Sequence, residues 1–206
     1  MSTLKIYGVA RSRAFRTLWA AGELGLAYEH VPVDFAKGET RTPRFLALNP
    51  SGHVPVIEED GFRLSESMAI NLYLAKRYGS GGLYPQSLEE EARAWQWSFW
   101  GMTEIEPPLL SALRHRVVLP EEKRDPKAAA EAEAALQAPL KVLDGALAGR
   151  SHLLGDRFTV ADLNLAGILA WARPAGIDLA AMPRAAAWLK NCLERPAARA
   201  ARALQR

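Results

Sequence analysis

The sequence predicts an α/β domain followed by an all-helical domain, and three observations carry that prediction. Short alternating apolar runs, arranged as βαβ and then ββα, occupy the stretch up to Tyr78. Gly79, Ser80, Gly81, Gly82 and Pro85 then interrupt the pattern as a linker. Beyond them the apolar residues recur at steps of three and four. The expected boundaries are 1–79 for the first domain, 80–87 for the linker and 88–206 for the helical domain.

Leu4 to Tyr7 alternates as a strand, and Gly8 to Ser12 is a loop. Ala14 to Leu24 reads as a helix with Phe15, Leu18, Trp19 and Ala21 on one side, Ser12 as N-cap and Gly25 as its stop. Tyr28 to Val33 is a second strand with Val31 and Val33 inward. A β-helix-β unit of this length implies a right-handed crossover between parallel strands. Phe35 to Leu48 is polar and turn-rich, with a single turn or short helix at Thr42 to Leu46 that includes the apolar Phe45. Val54 to Ile57 is a short strand containing Pro55, which cannot donate to a ladder, so the strand is at an edge, irregular, or holds a cis peptide. Glu58 to Gly61 turns the chain and Phe62 to Leu64 returns it. Ser65 then caps a helix on which Met68, Leu72 and Ala75 recur, and Glu66 adds negative charge to its first turn.

In the helical half, Leu88, Ala92, Trp95, Phe99 and Met102 form one stripe, and Trp97, Trp100 and Glu104 step along a second face. A helix apolar on two faces is buried on both or covers a ligand. Pro107-Pro108 kinks or restarts it, and Leu109, Leu110 and Leu113 carry the pattern to Val118. The next long helix carries alanine-rich Ala128 to Ala135 and a stripe of Leu136, Leu140, Leu143 and Leu147, with a kink at Pro139 and a stop at Gly149. Phe158 to Leu163 reads as a capping box: Thr159 is the N-cap, Asp162 the acid, and Phe158 staples to Leu163. The helix it opens, Ala161 to Trp171, is apolar nearly all round and therefore central. Pro183 opens a helix through Leu193, and Pro196 a last one to Leu204.

The 206 residues are 49% hydrophobic and 24% charged, the composition of a soluble globular protein. Net charge is +3, and residues 1–80 hold 10 basic and 8 acidic groups against 16 and 15 in the rest. Neither half is polarised, so charge gives no reason to expect a nucleic-acid partner. The single cysteine, Cys192, excludes an intrachain disulfide and a CxxC motif and reads as a core residue. With no leader pattern and no apolar run of spanning length, the expected location is the cytoplasm, with no membrane partner. His30, His53, His115 and His152 lack metal-ligand spacing, and neither a phosphate loop nor Gly-x-Ser-x-Gly is present. Arg195, Arg199, Arg202 and Arg206 line one face of the last helix and read as a solvated face, an acidic partner being the alternative.

Two stretches resemble a known family. Val54-Pro55-Val56-Ile57 followed by Leu-Ser-Glu-Ser-Met-Ala-Ile-Asn-Leu-Tyr-Leu from Leu64 is similar to the glutathione-binding half of cytosolic glutathione transferases. Gly-Asp-Arg-Phe-Thr-Val-Ala-Asp-Leu, from Gly155, is similar to the capping signature of their C-terminal domain. The resemblance implies a thioredoxin-like first domain of order βαβ-α-ββα, glutathione as co-substrate, no metal, and a homodimer in which the first domain of one subunit pairs with the second domain of the other. Phe45 is the residue expected to enter the partner. The resemblance also implies a cis Pro55, backbone pairing of Val54 with the cysteine of glutathione, and Glu66 and Ser67 on its γ-glutamyl end. His53 stands where the family often has lysine or glutamine near the glycine carboxylate. That is a departure, because histidine is mostly neutral at neutral pH.

Glutathione chemistry needs a thiolate. A free thiol of pKa ~8.5 is only slightly ionised at neutral pH, and a shift of ~2 units, worth about 2.7 kcal/mol, makes the thiolate dominant. The protein must aim a hydrogen-bond donor at the sulfur, preferably near a helix N-terminus. Ser12, in Ala10-Arg11-Ser12-Arg13-Ala14-Phe15-Arg16, resembles the serine-type (theta- and phi-like) classes, whose serine stands four residues before an arginine. Read by itself, Ser12 is more simply a plain N-cap, and the resemblance reverses that preference. Tyr7, at the end of the first strand, is the rival donor. The resemblance places the electrophile site at Arg11, Trp97, Trp100, Thr103, Glu104 and Arg114, facing Ser12, although Trp97 and Trp100 also suit helix packing. The implied function is a bacterial serine-type glutathione transferase that conjugates the thiolate to small hydrophobic electrophiles. The alternatives are a glutathione-dependent isomerase, dehalogenase or peroxidase, or a non-catalytic interaction protein on the same fold. The isomerases carry a denser run of serine and cysteine than Arg11 to Ala14, and the disulfide reductases have cysteine where Ser12 stands.

Overall fold

Strand β1 (Leu4–Tyr7) runs parallel to β2 (Tyr28–Val31), with Leu4 opposite Tyr28 and Tyr7 opposite Val31. Helix α1 (Ala14–Glu23) makes the crossover. The computed structural model of the protein describes residues 3–79 and 82–204, so Ser80 and Gly81 of the expected linker and Arg206 of the arginine face lie outside the described residues. Strand β2 is shorter than its apolar pattern because Pro32 has no N–H to continue the ladder. Gly25, at φ 62°, takes the left-handed conformation that ends α1, and Leu26 N–H closes on the Ala21 carbonyl at 3.0 Å.

On the other side of β1 lie β3 (Val56–Glu59) and β4 (Phe62–Ser65), giving a four-stranded sheet of order β2-β1-β3-β4. Strand β3 is antiparallel to β1, with Ile6 opposite Ile57 at the fully buried centre. It begins at Val56 rather than Val54, after the proline that cannot donate. Glu58 and Glu59 belong to the strand and not to the turn. The turn is the two residues Asp60 and Gly61, at φ 51° and 80°, the left-handed pair that a tight hairpin requires. This register carries β4 through Ser65, which pairs with Val56. Ser65 is therefore a strand residue and not the cap of helix α3 (Ser67–Tyr78); the N-cap is Glu66.

Between β2 and β3 the chain makes two 3₁₀ turns, Phe35–Lys37 and Glu39–Arg41, and then α2 (Pro43–Leu46). Thr42 caps α2 by accepting the Phe45 N–H at 3.3 Å, and Pro43 occupies the first helical position. Phe45, expected to reach a partner subunit, is 4% exposed and packs with Tyr7, Val33, Val54 and Val56. Its apolar ring in a polar loop anchors that loop to the sheet.

The chain divides into two compact units. The first runs through Gln86 and takes up the chain again from Glu194; the second is Ser87–Leu193. The last helix, α9 (Pro196–Ala203), thus packs within the first unit. Gly22 lets it approach α1 closely, since a Cβ there would stand 3.2 Å from that of Ala197. Arg195 makes a bidentate bond to Glu23, both distances 2.7 Å, and Arg202 lies 5.8 Å over the Phe15 ring. The expected solvated arginine face is therefore partly a packing surface, because α1 supplies the carboxylate and the ring.

In the second unit α4 (Leu88–Trp100) passes through a π turn at Gly101–Ile105 into α5 (Glu106–Leu113), and a second π turn follows at Arg114–Val118. Pro107 and Pro108 cannot donate to the carbonyls four residues back, and the wider π turn immediately before them accommodates the rings. The stripe expected to be buried on α4 is outside: Leu88, Trp95 and Phe99 are 72%, 42% and 64% exposed. The buried face is Ala94, Ser98, Gly101 and Ile105, small residues that admit a close neighbour. A Cβ on Gly101 would stand 2.8 Å from Ile168 Cδ1, and Ser98 Oγ accepts from Asn164 Nδ2 at 2.9 Å.

That neighbour is α7 (Val160–Leu169), whose residues are all buried. Helices α5 and α8 (Pro183–Leu193) also pack on it, and α6 (Pro126–Ala146), continuous through Pro139, packs on α5 and α8. The Thr159–Asp162 capping box forms as expected. Asp162 also accepts from Leu153 N–H and Trp188 Nε1–H, each at 2.9 Å, so one buried carboxylate ties three segments together. Among the described residues no helix is long and apolar enough to cross a membrane.

Asp162→Ala strands buried donors at Leu153, Thr159 and Trp188, each costing about 1–3 kcal/mol. Urea denaturation should show a loss of about 3 kcal/mol or more. A loss below about 1 kcal/mol would contradict this role.

Candidate functional site

The site grows from the end of β1. Gly8 is at φ 130°, and a Cβ there would stand 2.8 Å from Ala14 Cβ and 2.9 Å from Val54 Cβ. Only hydrogen fits where the last turn of β1, the first residue of α1 and the residue before Pro55 meet. The Val54–Pro55 peptide is cis.

Ser12 is buried in the loop that enters α1. Its hydroxyl donates to the Val9 carbonyl at 2.7 Å, and its Oγ accepts the Ala14 N–H at 3.1 Å. The N-cap position itself belongs to Arg13, whose side chain makes no capping bond, so Ser12 closes a local turn one residue earlier than expected. The N–H end of α1 opens beside it.

The start of α3 lies alongside. Glu66 holds φ 72° and ψ 110°, a conformation rare for a residue with a side chain and one that costs of order 1–3 kcal/mol. Such strain persists where the surroundings enforce it and concentrates at ligand sites. The Glu66 side chain is exposed and makes no capping bond, so its charge is not in the first turn as expected. Ser67, the first helical residue, is 3% exposed, and its Oγ accepts from Arg16 Nη1 at 3.3 Å. Arg16 is 1% exposed. One turn further, the Thr17 hydroxyl donates to Asn71 Oδ1 at 3.1 Å, also buried. Neither α1 nor α3 carries an acid in its first turn. Two helix N-termini and a buried guanidinium therefore lie side by side, an arrangement suited to anions.

Tyr7 points its chemistry elsewhere. Its hydroxyl donates to Glu58 Oε2 at 2.8 Å, and burial together with that bond pushes the phenol up to about 12. Hydrogen bonds from Arg63 and Tyr7 hold the Glu58 carboxyl below its usual range. His53 is exposed, and its carbonyl accepts from Asn49 Nδ2 at 2.8 Å. Asn49 also accepts from the Ser51 N–H and hydroxyl, which fixes the loop. Beside it Arg41 donates to the Ser51 carbonyl at 3.3 Å and lies against Gly52, where a Cβ would meet its Nη1 at 2.5 Å. Asn49-Pro50 and Ser51-Gly52 read as turn residues in the sequence, but no motif pointed to Arg41.

Arg11 is bonded to Asp34 and lies 5.8 Å over the Phe35 ring. Partial burial raises the Asp34 carboxyl, but the Arg11 bond, the Ala36 N–H and the nearby cations outweigh it and hold the group low. In the second unit, Trp97 and Trp100 are half-buried and meet edge to face, with centroids 5.2 Å apart and an interplanar angle of 86°. The Thr103 hydroxyl donates to the Trp100 carbonyl at 3.4 Å, and Glu104 is exposed next to it. Arg114 is exposed at the start of the second π turn. The structure thus gathers Ser12, Val54 and Ser67 in the first unit, and Trp97, Trp100, Thr103 and Glu104 along one end of α4 in the second.

Comparison with known proteins gives two domain matches. The family described as glutathione S-transferase, N-terminal domain, matches residues 2–76, and the corresponding C-terminal domain family matches residues 105–196. Glutathione S-transferase 3 of Zea mays is 36% identical over 206 residues, covering 96% of this chain and 92% of that protein. The crystal structure of glutathione transferase F7 from Populus trichocarpa superimposes with a TM-score of 0.90 at 28% identity, covering 99% of this chain and 100% of the other. The structure of a glutathione S-transferase-I bound with lactoylglutathione gives 0.88 at 30% identity, covering 98% and 99%.

Tyr7→Phe removes the Glu58 bond and should lower stability by about 1–2 kcal/mol in a denaturant titration, with the Glu58 carboxyl returning toward its usual range. A variant as stable as the parent would show that the bond does not form in solution.

Proposed function

The chain belongs to the glutathione S-transferase family, and on that premise we propose that it is a serine-type transferase conjugating glutathione to small hydrophobic electrophiles in the cytoplasm. The observation that carries the serine assignment is the contrast between two hydroxyls. Tyr7 is committed to Glu58 along the sheet. Ser12 bonds the Val9 carbonyl and the Ala14 N–H, both local to the opening of α1. The Ala14 N–H holds Ser12 Oγ in place while the hydroxyl proton turns from the Val9 carbonyl to a sulfur.

On this reading residues 1–79 hold glutathione. Val54 offers its backbone to the cysteine, Glu66 and Ser67 hold the γ-glutamyl end, and His53, with Arg41 close to the same loop, meets the glycine carboxylate. The helical second unit carries the electrophile site, where Trp97 and Trp100 supply apolar surface, Thr103, Glu104 and Arg114 supply polarity, and Arg11 contributes from the loop beside Ser12. The thiol proton leaves to solvent, and Ser12 together with the α1 N-terminus stabilises the thiolate. The sulfur lone pair then forms the new C–S bond as the electrophile's leaving group departs with its bonding pair. A hydroxyl and backbone N–H donors suit this chemistry, because the charge to be stabilised is a single anionic sulfur.

We also propose a homodimer. Leu88, Trp95 and Phe99 expose one apolar stripe on the second unit, and Phe62 is 45% exposed on the first. Exposed large apolar residues at helical spacing mark a surface that another chain covers. Sedimentation at micromolar concentration should give a dimer, and Phe99→Asp should shift it toward monomer. A wild-type monomer would contradict the proposal.

Glutathione at ~100 times its dissociation constant should add about 2.7 kcal/mol to stability. No shift in melting temperature at saturating glutathione would favour a non-catalytic interaction protein. Ser12→Ala should lower the conjugation rate at neutral pH by ~10²–10³ with much less change in glutathione affinity. Raising the pH should restore part of the rate as free ionisation takes over. If Ser12→Ala turns over normally and Tyr7→Phe does not, the serine assignment fails.

A further inference from the structure

The loop that carries Ser12 is held from outside by β2 and the residues that follow it. The Gly8 N–H donates to the Val31 carbonyl at 3.0 Å. His30 Nε2 lies 2.8 Å from the Gly8 carbonyl and donates to it, since a carbonyl can only accept. The Ser12 N–H closes on the Val9 carbonyl at 3.0 Å, so residues 9–12 form a β-turn with Arg11 at its third position. From that turn Arg11 reaches across to Asp34 and the Phe35 ring. We propose that Asp34 is a positioning residue for the thiolate donor: through Arg11 it holds the turn 9–12 in the placement from which the Ser12 hydroxyl meets the glutathione sulfur. This role rests on the serine reading above.

Asp34 has the surroundings of an anchor. It is 7% exposed, whereas the Arg11 side chain is half exposed, so the strut runs from a fixed point to a surface turn. Its Oδ1 accepts the Ala36 N–H at 2.9 Å, and its own N–H donates to Glu39 Oε2 at 2.6 Å. Its carbonyl accepts from the N–H groups of Lys37 and Glu39, each at 3.2 Å. The neighbouring Val33 is buried with Tyr7, Phe45, Val54 and Val56. Phe35, though 45% exposed, has a use there: its centroid lies 5.8 Å from the Arg11 guanidinium carbon. A planar cation with a carboxylate at its edge and a ring on its face is fixed in direction as well as in distance.

The bonds of Ser12 to the Val9 carbonyl and from the Ala14 N–H place the hydroxyl relative to its loop. They do not place the loop relative to the sheet, which is what the Arg11–Asp34 pair adds. The effect of an oriented group falls steeply with displacement, and ~1 Å can cost on the order of 10²-fold in rate. An ion pair with one exposed member adds little to global stability, so its consequence should appear at the sulfur rather than in the melting curve. Direct charge action predicts the opposite sign. Removing the Asp34 anion would leave Arg11, and Lys37 4.0 Å away, less compensated, and a cation acting on the sulfur lowers the pKa of the thiol. A misplaced hydroxyl raises it.

The test is the pH of half-ionisation of bound glutathione, read from the ultraviolet absorbance of the thiolate. It is measured for the wild type, Asp34→Asn, Arg11→Gln, Ser12→Ala and each of the first two substitutions combined with Ser12→Ala. Asp34→Asn removes the charge and keeps an acceptor for the Ala36 N–H. It should raise half-ionisation by about half a unit or more. It should also lower kcat at neutral pH by about tenfold, with far less change in KM for glutathione. Arg11→Gln should act in the same direction. In the Ser12→Ala background neither substitution should shift the ionisation further, because the hydroxyl to be placed is gone.

An unchanged or lowered half-ionisation in either folded variant overturns the inference. So does a shift of equal size with and without Ser12, which marks direct charge action. Should Asp34→Asn not fold, the Arg11→Gln cycle decides on the same two criteria. If Ser12→Ala itself leaves the ionisation of the bound thiol unchanged, the serine reading fails instead, and a wild type that binds no glutathione overturns the reading beneath both.

Discussion

The first turn of a helix leaves backbone N–H groups that the helix cannot satisfy. In this chain two such turns, those of α1 and α3, lie against each other with no acid in either. The rest of the first unit keeps them there. The parallel β1–β2 pair and its crossover set the start of α1 at the end of the sheet. The two-residue turn at Asp60 and Gly61 fixes the β3–β4 register, which carries Ser65 in the ladder and leaves Glu66 to turn the chain in a strained conformation. Gly8 allows Val54 and Ala14 to close over the end of β1. Shifting any of these by one residue would move Ser12 or Ser67 away from the N–H end it serves.

The second unit meets a different constraint, the burial of α7 on every side. A helix apolar all round needs neighbours that come close, and α4 provides one with Ala94, Ser98 and Gly101. The large residues of α4 are consequently turned outward, and they are the surface we assign to a second subunit. Asp162 secures the start of α7 by accepting from Leu153, Thr159 and Trp188. Packing density and polar satisfaction are achieved together here, since the carboxylate would be costly if any of those donors were absent.

Much of this was legible in the residues. Alternation and steps of three and four placed the strands and most helices, because those periods follow from local geometry. The Thr159–Asp162 box was legible because a capping box is local in sequence. What was not legible depended on partners far along the chain. Hydrophobicity favoured Trp95 and Phe99 as the buried face of α4, whereas the close approach of α7 selected the small residues. Phe45 looked like an exposed apolar residue until Tyr7, Val33, Val54 and Val56 enclosed it. The Ser65 cap failed because register, not propensity, decided where β4 ended. At the site, the Ser12-to-Arg16 spacing carries the family resemblance, but nothing local encodes the burial of Arg16 against Ser67 or the bond from Tyr7 to a carboxylate on β3.

We assign to the open helix ends of the first unit the stabilisation of an anionic sulfur. Titrating the ultraviolet absorbance of the thiolate in glutathione bound to the wild-type protein tests it without any electrophile. Half-ionisation should fall well below the ~8.5 of a free thiol, by about two units. A bound thiol that ionises at the same pH as free glutathione would contradict the claim.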